Sequence, residues 1–593
     1  MKSHKRLYVY IIKLHTYLNK MEVKMTIKGI GASRGIAVAK VFKIEELPVN
    51  ITEKAKDADH ELKLYNDAVK KAGEKVEATK KLAKTPEQAA IFDAHLQIIN
   101  DPWALETITG RIKDNKETAE YATKAFYEEM ATMFSNMDDA YMKERAADVK
   151  DVMKKLLYIL NDIEEPDLTA IDKEVIIVAY DLSPSQTVQL NKKYVKGFAT
   201  NIGGPTSHTA IMARSMNIPS VVGTNNVLES VKNGQTIIID GIKGEVIVDP
   251  TKEESEHYKK EEAKYIKYLE TIAKYKGKKS ITKDKHHVEL AANIGRPKDV
   301  DAVIDNDAEA IGLFRSEFLY MDNEHWPTEE EQFAAYKEVV ERMKGKRVVI
   351  RTLDIGGDKT LKYFTFPHEM NPFLGYRAIR LCLKEIEIFK TQLRALVRAS
   401  AYGKVAIMFP MITNIPEFLQ AKKLYEEAYS EVKKAGHKIA PKKDIEVGLM
   451  METPAAAVLS DQFCKYADFV SIGTNDLIQY SMAADRMSET ISYLYQPLNP
   501  SILRLVKMVI DGAHKHGKWA GMCGEMAGDR RALPLLLGLG LDEFSMSAGN
   551  VLASRELVSQ LSKKDMEELA AQAIELDSEE QVIKLLNKAL KLK

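Results

Sequence analysis

Apolar segments rich in Val, Ile, Leu and Met recur eight times through residues 283–593, and stretches with helical spacing separate them. The segments are 288–294, 309–314, 347–352, 405–410, 446–451, 468–473, 518–523 and 541–546. Continuous apolar runs of this length are typical of parallel strands that are buried on both faces. Eight such strands alternating with helices predict a closed (β/α)8 barrel.

Charged or polar residues directly follow five of these segments. The carboxyl ends of all strands in such a barrel meet at one face, where the active sites of this fold lie. One charge after a strand is ordinary, but the repetition predicts a single active site. The residues concerned are Arg315 and Glu317, Arg351, Asp354 and Lys359, Glu452, Asn475 and Asp476, and Cys523 and Glu525.

The cations of this set predict an anionic ligand. Arg315, Arg351 and Lys359, joined by Arg377 and Arg486, carry donors that match the oxygens of phosphate and carboxylate groups. The chain has no GxxxxGK[ST] loop for a nucleotide. We therefore expect a small, multiply charged anion and a phosphoryl donor other than ATP.

Two of the acidic residues predict a metal site. Glu452 and Asp476 offer hard oxygen ligands, and Mg²⁺ takes few carboxylates together with substrate phosphate. The alternative interpretation is that these carboxylates form ion pairs with the arginines.

Cys523 is a candidate for proton transfer. A lone cysteine usually packs as a small buried apolar residue, and we interpret Cys382 and Cys464 in this way. Cys523, however, lies at a strand end between Gly521 and Gly524, where a thiol could donate or take a proton at a carbon centre.

The N-terminal half predicts an α/β domain interrupted by a helical bundle. Strand signals occur in 25–44 and return in 165–250, as in EVIIVAY and TIIIDG. Residues 45–164 are rich in Glu, Lys, Ala and Leu with helical spacing. Residues 251–282 are highly charged and predict a linker helix, and residues 1–24 are interpreted as an N-terminal extension.

The segment GGPTSHTAIMAR at 203–214 places His208 behind two glycines and two hydroxyl residues. Glycines let a backbone approach another group closely. A neutral imidazole nitrogen is a competent nucleophile near neutral pH, so we expect another group to approach His208 closely.

Composition excludes several classes of protein. Lys plus Arg equals Asp plus Glu at 86 each, so no global charge favours nucleic acid or an anionic membrane. No apolar run approaches the ~20 residues that span a bilayer. Three scattered cysteines indicate a reducing compartment, and we expect a cytoplasmic protein.

Taken together, the motifs resemble those of the enzyme I family of the bacterial phosphotransferase system, over about residues 25 to 575. The segments that carry the resemblance are GGPTSHTAIMAR, GLFRSEFLYM, RTLDIGGDK, NPFLGYRAIR, METPAAA, SIGTNDLIQY and GMCGEMAGD. The histidine segment alone is shared with pyruvate phosphate dikinase and phosphoenolpyruvate synthase, but the full set is close to diagnostic for the family.

The resemblance implies phosphoenolpyruvate as donor, Mg²⁺ as cofactor and a phosphohistidine that passes its phosphoryl group to the carrier protein HPr, the first step of sugar uptake. It implies that His208 is phosphorylated, that Thr187 orients it and that Cys523 donates a proton. It also implies an HPr-binding bundle at 45–164, with a docking face near 96–99, and a homodimer through the barrel at 283–593. The implied substrate-binding residues are Arg315, Arg351, Asn475, Arg486, Lys359 and Arg377, and the implied metal ligands are Glu452 and Asp476.

Two residues near the histidine depart from the family pattern. Pro205 stands where the family often has arginine, and Asn201 where it often has aspartate. Two other functions stay open at this point: a catalytically silent regulatory relative, and an enzyme of the phosphoenolpyruvate synthase or dikinase kind.

Overall fold

The computed structural model of the protein describes residues 25–590, apart from 84–85, 137–139, 205–207, 217, 322, 358, 360, 487 and 489. The interpreted extension at 1–24 therefore lies outside the described residues. The chain divides into two compact units, one ending at Leu269 and the other beginning at Glu270. Among the described helices, none is long and apolar enough to cross a membrane.

The first unit contains a helical bundle. Its helices are Ala58–Lys80, Pro86–Ile99, Pro102–Asn115, Ala119–Asn136 and Ala140–Leu160. Asp57 caps the first helix by accepting hydrogen bonds from the backbone N–H groups of Asp59 and His60. One apolar stripe from each helix forms a common core that includes Tyr65, Phe92, Ile108, Phe126 and Val149.

An eight-stranded sheet forms the rest of the first unit. Its strands are β1 (Met25–Lys28), β2 (Ile30–Ser33), β3 (Ile36–Ile44), β4 (Val175–Ala179), β5 (Val195–Thr200), β6 (Ser220–Val222), β7 (Thr236–Asp240) and β8 (Glu245–Val248). Their order is β1-β8-β7-β3-β4-β5-β6-β2. The bundle lies in the connection between β3 and β4, which pair in parallel.

Both faces of this sheet are buried. Ile176 and Ile239 pack in one apolar cluster, and Ile177 and Phe198 pack in another. The helices that accompany the sheet are Pro184–Val188, His208–Met216 and Val227–Ser230. The charged helix Lys252–Ala273, whose buried residue is Ile272, crosses the sequence boundary between the units.

The second unit is a closed barrel of eight parallel strands. They are β9 (Glu289–Ile294), β10 (Ala310–Arg315), β11 (Val348–Arg351), β12 (Val405–Phe409), β13 (Glu446–Met451), β14 (Phe469–Ile472), β15 (Trp519–Met522) and β16 (Glu543–Ser547). The sheet closes because β16 pairs with β9. The predicted fold class is therefore confirmed, and each predicted barrel segment contains or overlaps an observed strand.

Amphipathic helices surround the barrel and cover its outer face. The longer ones are Glu329–Arg342, Ile386–Ala399, Ile415–Lys434, Pro500–Lys515, Ala532–Leu539, Val551–Gln560, Lys563–Ala573 and Glu579–Leu590. The other helices are Val300–Asp305, Glu317–Met321, Ile379–Lys384, Pro454–Val458, Ser460–Phe463 and Thr474–Met482. Inside the barrel, Leu313, Val349, Met408, Phe469 and Cys523 form a separate cluster.

Candidate active site

The carboxyl ends of the barrel strands carry the residues that the sequence singled out. Arg315 ends β10 and pairs in register with Arg351, which ends β11. Glu452 follows β13, Asp476 lies in helix Thr474–Met482 after β14, and Cys523 follows β15. Parallel closure of the barrel therefore places these residues at one face.

Buried ion pairs join the cations of this face to two carboxylates. Arg351 Nη2 lies 2.6 Å from Glu317 Oε1 and 2.9 Å from Asp354 Oδ2. Lys359 Nζ lies 2.9 Å and 3.0 Å from the same two oxygens. Burial opposes the charge on Asp354, but the surrounding cations outweigh it and hold the pKa of this carboxyl well below its usual range.

Arg377 links this network to Asp476. Its Nη2 lies 2.9 Å from Asp354 Oδ1 and 3.7 Å from Asp476 Oδ2, and its Nη1 donates to the Tyr480 hydroxyl at 3.2 Å. The side chain is 1% exposed. The Arg377 side chain can lie here because residue 356 is a glycine. The φ of Gly356 is +112°, and a Cβ at this residue would overlap Arg377 Cβ.

Glu452 and Asp476 are two buried carboxylates, and the charge of Asp476 acts on Glu452. Burial, followed by the charge of Asp476, raises the pKa of Glu452 to about 8. Glu452 Oε1 accepts a hydrogen bond from the Met411 backbone, whereas no described residue donates to Asp476 Oδ1. A pair of this kind fits a divalent cation.

Glu452 and Asp476 would fill only part of the coordination sphere of a metal ion, and other ligands would fill the rest. Among the described residues, no group of three or more His, Cys, Asp or Glu side chains is arranged to hold a metal ion. Mg²⁺ is usually held by one or two carboxylates plus substrate phosphates, which agrees with two ligands. The alternative interpretation, ion pairing with the arginines, applies in part to Asp476, whose Oδ2 lies 3.7 Å from Arg377 Nη2. The carboxylates that pair more closely with the buried cations are Glu317 and Asp354.

The Cys523 thiol is buried and stays protonated. It is 3% exposed, and its S–H points to the Ile472 carbonyl at 3.9 Å. Burial raises the pKa of the thiol to about 11. Asn293 Nδ2 donates to the Cys523 carbonyl at 2.9 Å and fixes the backbone there. A protonated thiol of this kind can act as an acid.

The three remaining predicted substrate-binding residues are half-buried; Arg315 and Asn475 lie at strand ends, and Arg486 follows helix Thr474–Met482. Asn475 Oδ1 accepts from the Glu525 backbone N–H at 3.2 Å. The Arg486 backbone N–H donates to Gln479 Oε1 at 3.0 Å, and Arg315 ends β10. Asn293 and Tyr480 were not predicted, although Asn293 lies near the end of the first barrel strand and the same strand-end rule points to it.

His208 is the first residue of helix His208–Met216 in the first unit. Its side chain and residues 205–207, Pro205 among them, lie outside the described part of the chain. The neighbouring Thr209 hydroxyl donates to Asp181 Oδ1 at 2.9 Å and also lies 3.2 Å from the Leu182 carbonyl. These bonds anchor the first turn of the helix that His208 begins.

Thr187 is 1% exposed in helix Pro184–Val188, which packs against helix His208–Met216. Asn201, at a position where we expect the family to have aspartate, is buried and hydrogen-bonded at both ends of its amide. Its Nδ2 lies 2.9 Å and 3.1 Å from the oxygens of Glu229, and its Oδ1 accepts from the Leu228 backbone at 2.9 Å. An amide suits this position because an aspartate would face the Glu229 carboxylate.

Comparison with protein families covers most of the chain. Residues 28–145 match the N-terminal part of the PEP-utilising enzymes, residues 171–244 match their mobile domain, and residues 270–563 match their PEP-binding domain.

Three relatives named phosphoenolpyruvate-protein phosphotransferase are similar along almost their whole length. The protein of Staphylococcus aureus strain MSSA476 is 53% identical over 95% of this chain and 99% of its own. The Bacillus subtilis protein is 52% identical over 95% and 100%, and the Listeria innocua protein is 53% identical over 95% and 99%. A solution structure of an Enzyme I protein, nEIt, is 38% identical over 40% of this chain and 99% of its own, with a TM-score of 0.38.

The resemblance to enzyme I is thereby confirmed over the whole folded length. The chain belongs to the PEP-utilising enzymes and, among them, to the phosphoenolpyruvate-protein phosphotransferases, which are transferases.

Proposed function

We propose that the protein transfers the phosphoryl group of phosphoenolpyruvate to its own His208 and then to a histidine of the phosphocarrier HPr, the first step of sugar uptake by the phosphotransferase system. Phosphoenolpyruvate-dependent phosphotransfer itself follows from family membership. One observation carries the rest: a buried carboxylate pair, a cluster of guanidinium and ammonium groups and a protonated thiol occupy one face of the barrel.

Cationic side chains and one amide would bind and orient the substrate. Arg315, Arg351, Asn475 and Arg486 would hold the phosphate and carboxylate oxygens, with Lys359 and Arg377 as further donors. Arg351 and Arg377 are buried and held by Asp354, so little side-chain entropy remains to be lost when the anion binds. Glu317 and Asp354 pair with these cations and offset their mutual repulsion.

Glu452 and Asp476 would hold Mg²⁺, and the metal ion would neutralise phosphate charge when it is bound. The unpartnered Asp476 Oδ1 supports this assignment. When bound, Mg²⁺ would supply charge neutralisation, and the guanidinium groups of this chain would supply positioning, which together are most of what phosphoryl transfer needs.

The histidine and the cysteine carry the two chemical steps. An imidazole nitrogen of His208 attacks phosphorus, the bond from phosphorus to the enol oxygen breaks, and enolpyruvate is left as its enolate. Thr187 would hold the imidazole in the reactive orientation. Cys523 then donates its proton to the methylene carbon and pyruvate forms.

His208 belongs to the first unit and the substrate site to the second, so the proposal requires the histidine to travel. We infer a hinge within the charged linker at 251–282, which we propose to lie between the phosphohistidine domain (25–44 and 165–250) and the barrel (283–593). Crosslinking that holds the N-terminal half away from the barrel is expected to stop turnover of phosphoenolpyruvate.

HPr would dock on the helical bundle at 45–164. Ile99 of the predicted docking face is fully buried and belongs to the bundle core, whereas Leu96 and Asn100 line a surface groove with Lys70, Gly73 and Glu74. We therefore place the docking surface on this groove between helices Ala58–Lys80 and Pro86–Ile99. The proposal also keeps a homodimer through the barrel and a cytoplasmic location.

The test is incubation with phosphoenolpyruvate labelled in its phosphate and Mg²⁺, with and without HPr. We expect label on His208, its transfer to HPr, and no stable label on His208→Ala. Persistent acid-labile, base-stable label on His208→Ala would assign the phosphoryl group elsewhere. No label on the wild-type protein would leave a catalytically silent relative as the better description.

A further inference from the structure

Asn293 is the penultimate residue of β9 and reaches across the mouth of the barrel to Cys523. Its side chain is half-buried, and Nδ2 donates to the Cys523 carbonyl at 2.9 Å. In the closed sheet β16 lies between β9 and β15, so this bond passes one strand and ties the first barrel strand to the segment after the seventh. The amide thereby contacts the backbone of the candidate acid itself.

A second hydrogen bond fixes which way this amide points. The Ser545 hydroxyl on β16 donates to Asn293 Oδ1 at 2.5 Å. An amide oxygen can only accept, so the bond sets the amide oxygen toward Ser545 and leaves the amide nitrogen facing Cys523. Ser545 is fully buried, which shields the hydroxyl from competing water. The orientation of Asn293 is therefore defined at both ends of its amide.

A β-bulge makes room for the Ser545 side chain. β10 carries an extra residue, Gly312, opposite Asn293 of β9, where the register of the two strands shifts. A Cβ at Gly312 would overlap both Cβ and Oγ of Ser545. Bulges beside active sites often redirect a side chain. In this barrel, the bulge and its glycine allow the hydroxyl to lie where it orients Asn293.

The backbone of Cys523 is held on both sides of its Cα. Its N–H donates to the Ile472 carbonyl of β14 at 3.1 Å, and its carbonyl accepts from Asn293. The next residue, Gly524, lies so close to Thr474 that a Cβ there would overlap Thr474 Oγ1. Glycine is required at this point, and it resists rotation of the neighbouring peptide least. Asn293 supplies the missing restraint.

The direction of a thiol matters when it protonates carbon. Enolpyruvate is planar at its methylene carbon and offers two faces to an acid. The Cys523 thiol is 3% exposed, so it can reach a bound substrate from one side only. A displacement of about 1 Å in a reacting group can cost about 10²-fold in rate.

We propose that Asn293, oriented by Ser545, is a positioning residue that directs the Cys523 thiol to one face of the methylene carbon and so determines on which face the proton is added. The proposal rests on the proposed role of Cys523 as the acid. Neither Asn293 nor Ser545 lies in the segments that carry the resemblance to enzyme I.

The proton transfer balances with water as the other reactant. The S–H bond of Cys523 breaks, and its proton bonds to the methylene carbon with the electron pair of the carbon–carbon double bond. The enolate oxygen becomes the carbonyl oxygen of pyruvate. Cys523 is left as a thiolate, which takes its next proton from water and leaves hydroxide. Asn293 and Ser545 keep their own protons throughout.

The test measures the stereochemistry of protonation in full-length Asn293→Ala. Phosphoenolpyruvate with deuterium at one of its two methylene positions is turned over in tritiated water with Mg²⁺ and HPr. Pyruvate is reduced at once to lactate by lactate dehydrogenase and NADH, and the configuration of the methyl group is determined. We expect one configuration from the wild-type protein and a nearly equal mixture from Asn293→Ala, because enolpyruvate that leaves unprotonated takes its proton from water on either face.

Rapid quench of the same reactions separates the two chemical steps. Phosphohistidine should form in Asn293→Ala at the wild-type rate, since the cations that bind phosphate are untouched. Pyruvate should form about 10²-fold more slowly. Asn293→Asp keeps an acceptor for Ser545 but loses the donor to Cys523, so it should behave as Asn293→Ala. Ser545→Ala keeps that donor but loses its orientation, so its methyl groups should be a partial mixture.

Asn499→Ala is the matched control. Asn499 is a half-buried asparagine of the same unit, and its amide is also bonded at both ends. Its Nδ2 donates to Gln496 Oε1 at 2.8 Å, and its Oδ1 accepts from the Ser501 backbone at 3.0 Å at the start of helix Pro500–Lys515. The variant loses a helix cap and some stability. It should still give a single methyl configuration.

A single methyl configuration from Asn293→Ala would overturn the proposal at any rate of pyruvate formation, because a residue with only a structural role alters rates and not the face of attack. If Asn293→Ala does not fold, Ser545→Ala decides by the same criterion. A mixture from Asn499→Ala would also overturn it, since loss of stability alone would then explain the result.

The proposals fail in different ways. If the wild-type protein forms no phosphohistidine or no pyruvate, the proposed function is wrong. If its pyruvate is already a mixture of configurations, the acid role of Cys523 is wrong. If the wild-type protein and Asn293→Ala both give one configuration, only the positioning role is wrong.

Discussion

At the scale of the residue, Asn201 shows how a neighbouring side chain accommodates an amide where we expect the family to have aspartate. Its amide donates to both oxygens of Glu229, and Glu229 has a lowered pKa because of this hydrogen bond. We expect Asn201→Asp to destabilise the protein by about 1–3 kcal/mol, because a buried donor is lost and two carboxylates meet. The loss would appear as a lower unfolding temperature of the first unit. Adding Glu229→Gln should recover most of it, and no recovery would contradict the pairing.

Cys523 gives a kinetic prediction. Cys523→Ala removes the proposed acid but none of the cations that bind phosphate, so label from phosphoenolpyruvate should still reach His208. Pyruvate formation should fall by about 10²-fold or more. Separate measurement of phosphohistidine and pyruvate in one quenched reaction checks this, with Cys464→Ala, a cysteine in the outer apolar core, as control. Equal loss of both products would argue against an acid role.

Glu543, the buried first residue of β16, predicts how the stability of the protein changes with pH. Its pKa is about 8 in the folded protein and about 4.3 in an unfolded chain, so the folded state binds the extra proton between these values. Wild-type stability therefore falls as pH rises through this window, by up to about 1.4 kcal/mol per pH unit. Glu543→Gln lacks this loss, and its stability relative to wild type should increase from pH 5 to pH 8. A constant difference in unfolding temperature across this range would show that Glu543 is ionised.

At the scale of the element, the barrel strands were predictable because most of their residues are buried and apolar. The segment 446–451 coincides with β13, and 405–410 exceeds β12 by one residue. The partners of the active-site cations were harder to assign. Glu317 and Asp354 were noticed only as strand-end charges, since nothing in their sequence positions shows which cations they meet. Glu543, the buried first residue of β16, was not noticed at all, because the space for its side chain depends on Gly312 and Gly521 of two other strands.

The loop after β11 yields a prediction about a glycine. Gly356→Ala imposes a positive φ on alanine and brings its Cβ against Arg377, so the guanidinium that contacts Asp354 and Asp476 must move. We expect a higher KM for phosphoenolpyruvate with little change in the unfolding temperature of the first unit. Gly345→Ala is the matched control, because Gly345 has a φ of +81° but no atom within 4 Å of a Cβ. An equal effect of both substitutions would mean that backbone strain alone is responsible.

At the scale of the whole molecule, two compact units predict two unfolding transitions in calorimetry. Phosphoenolpyruvate with Mg²⁺ should raise only the transition of the barrel. The stabilisation should be about 2.7 kcal/mol when the free ligand is 100 times its Kd. Glu452→Gln should remove most of the shift that depends on Mg²⁺ and leave the first transition unchanged. A shift of both transitions would place the ligand's contacts in both units.

The insertion of the bundle has a consequence for synthesis. β3 ends at Ile44 and its parallel neighbour β4 begins at Val175, so the ribosome makes the entire bundle before the middle of this sheet can pair. β1 must wait still longer, since its partner β8 ends at Val248. The bundle buries a core of its own and can fold while the first strands remain unpaired. Pairings of such long sequence separation form slowly, so the nascent sheet is the part of the chain most exposed to aggregation.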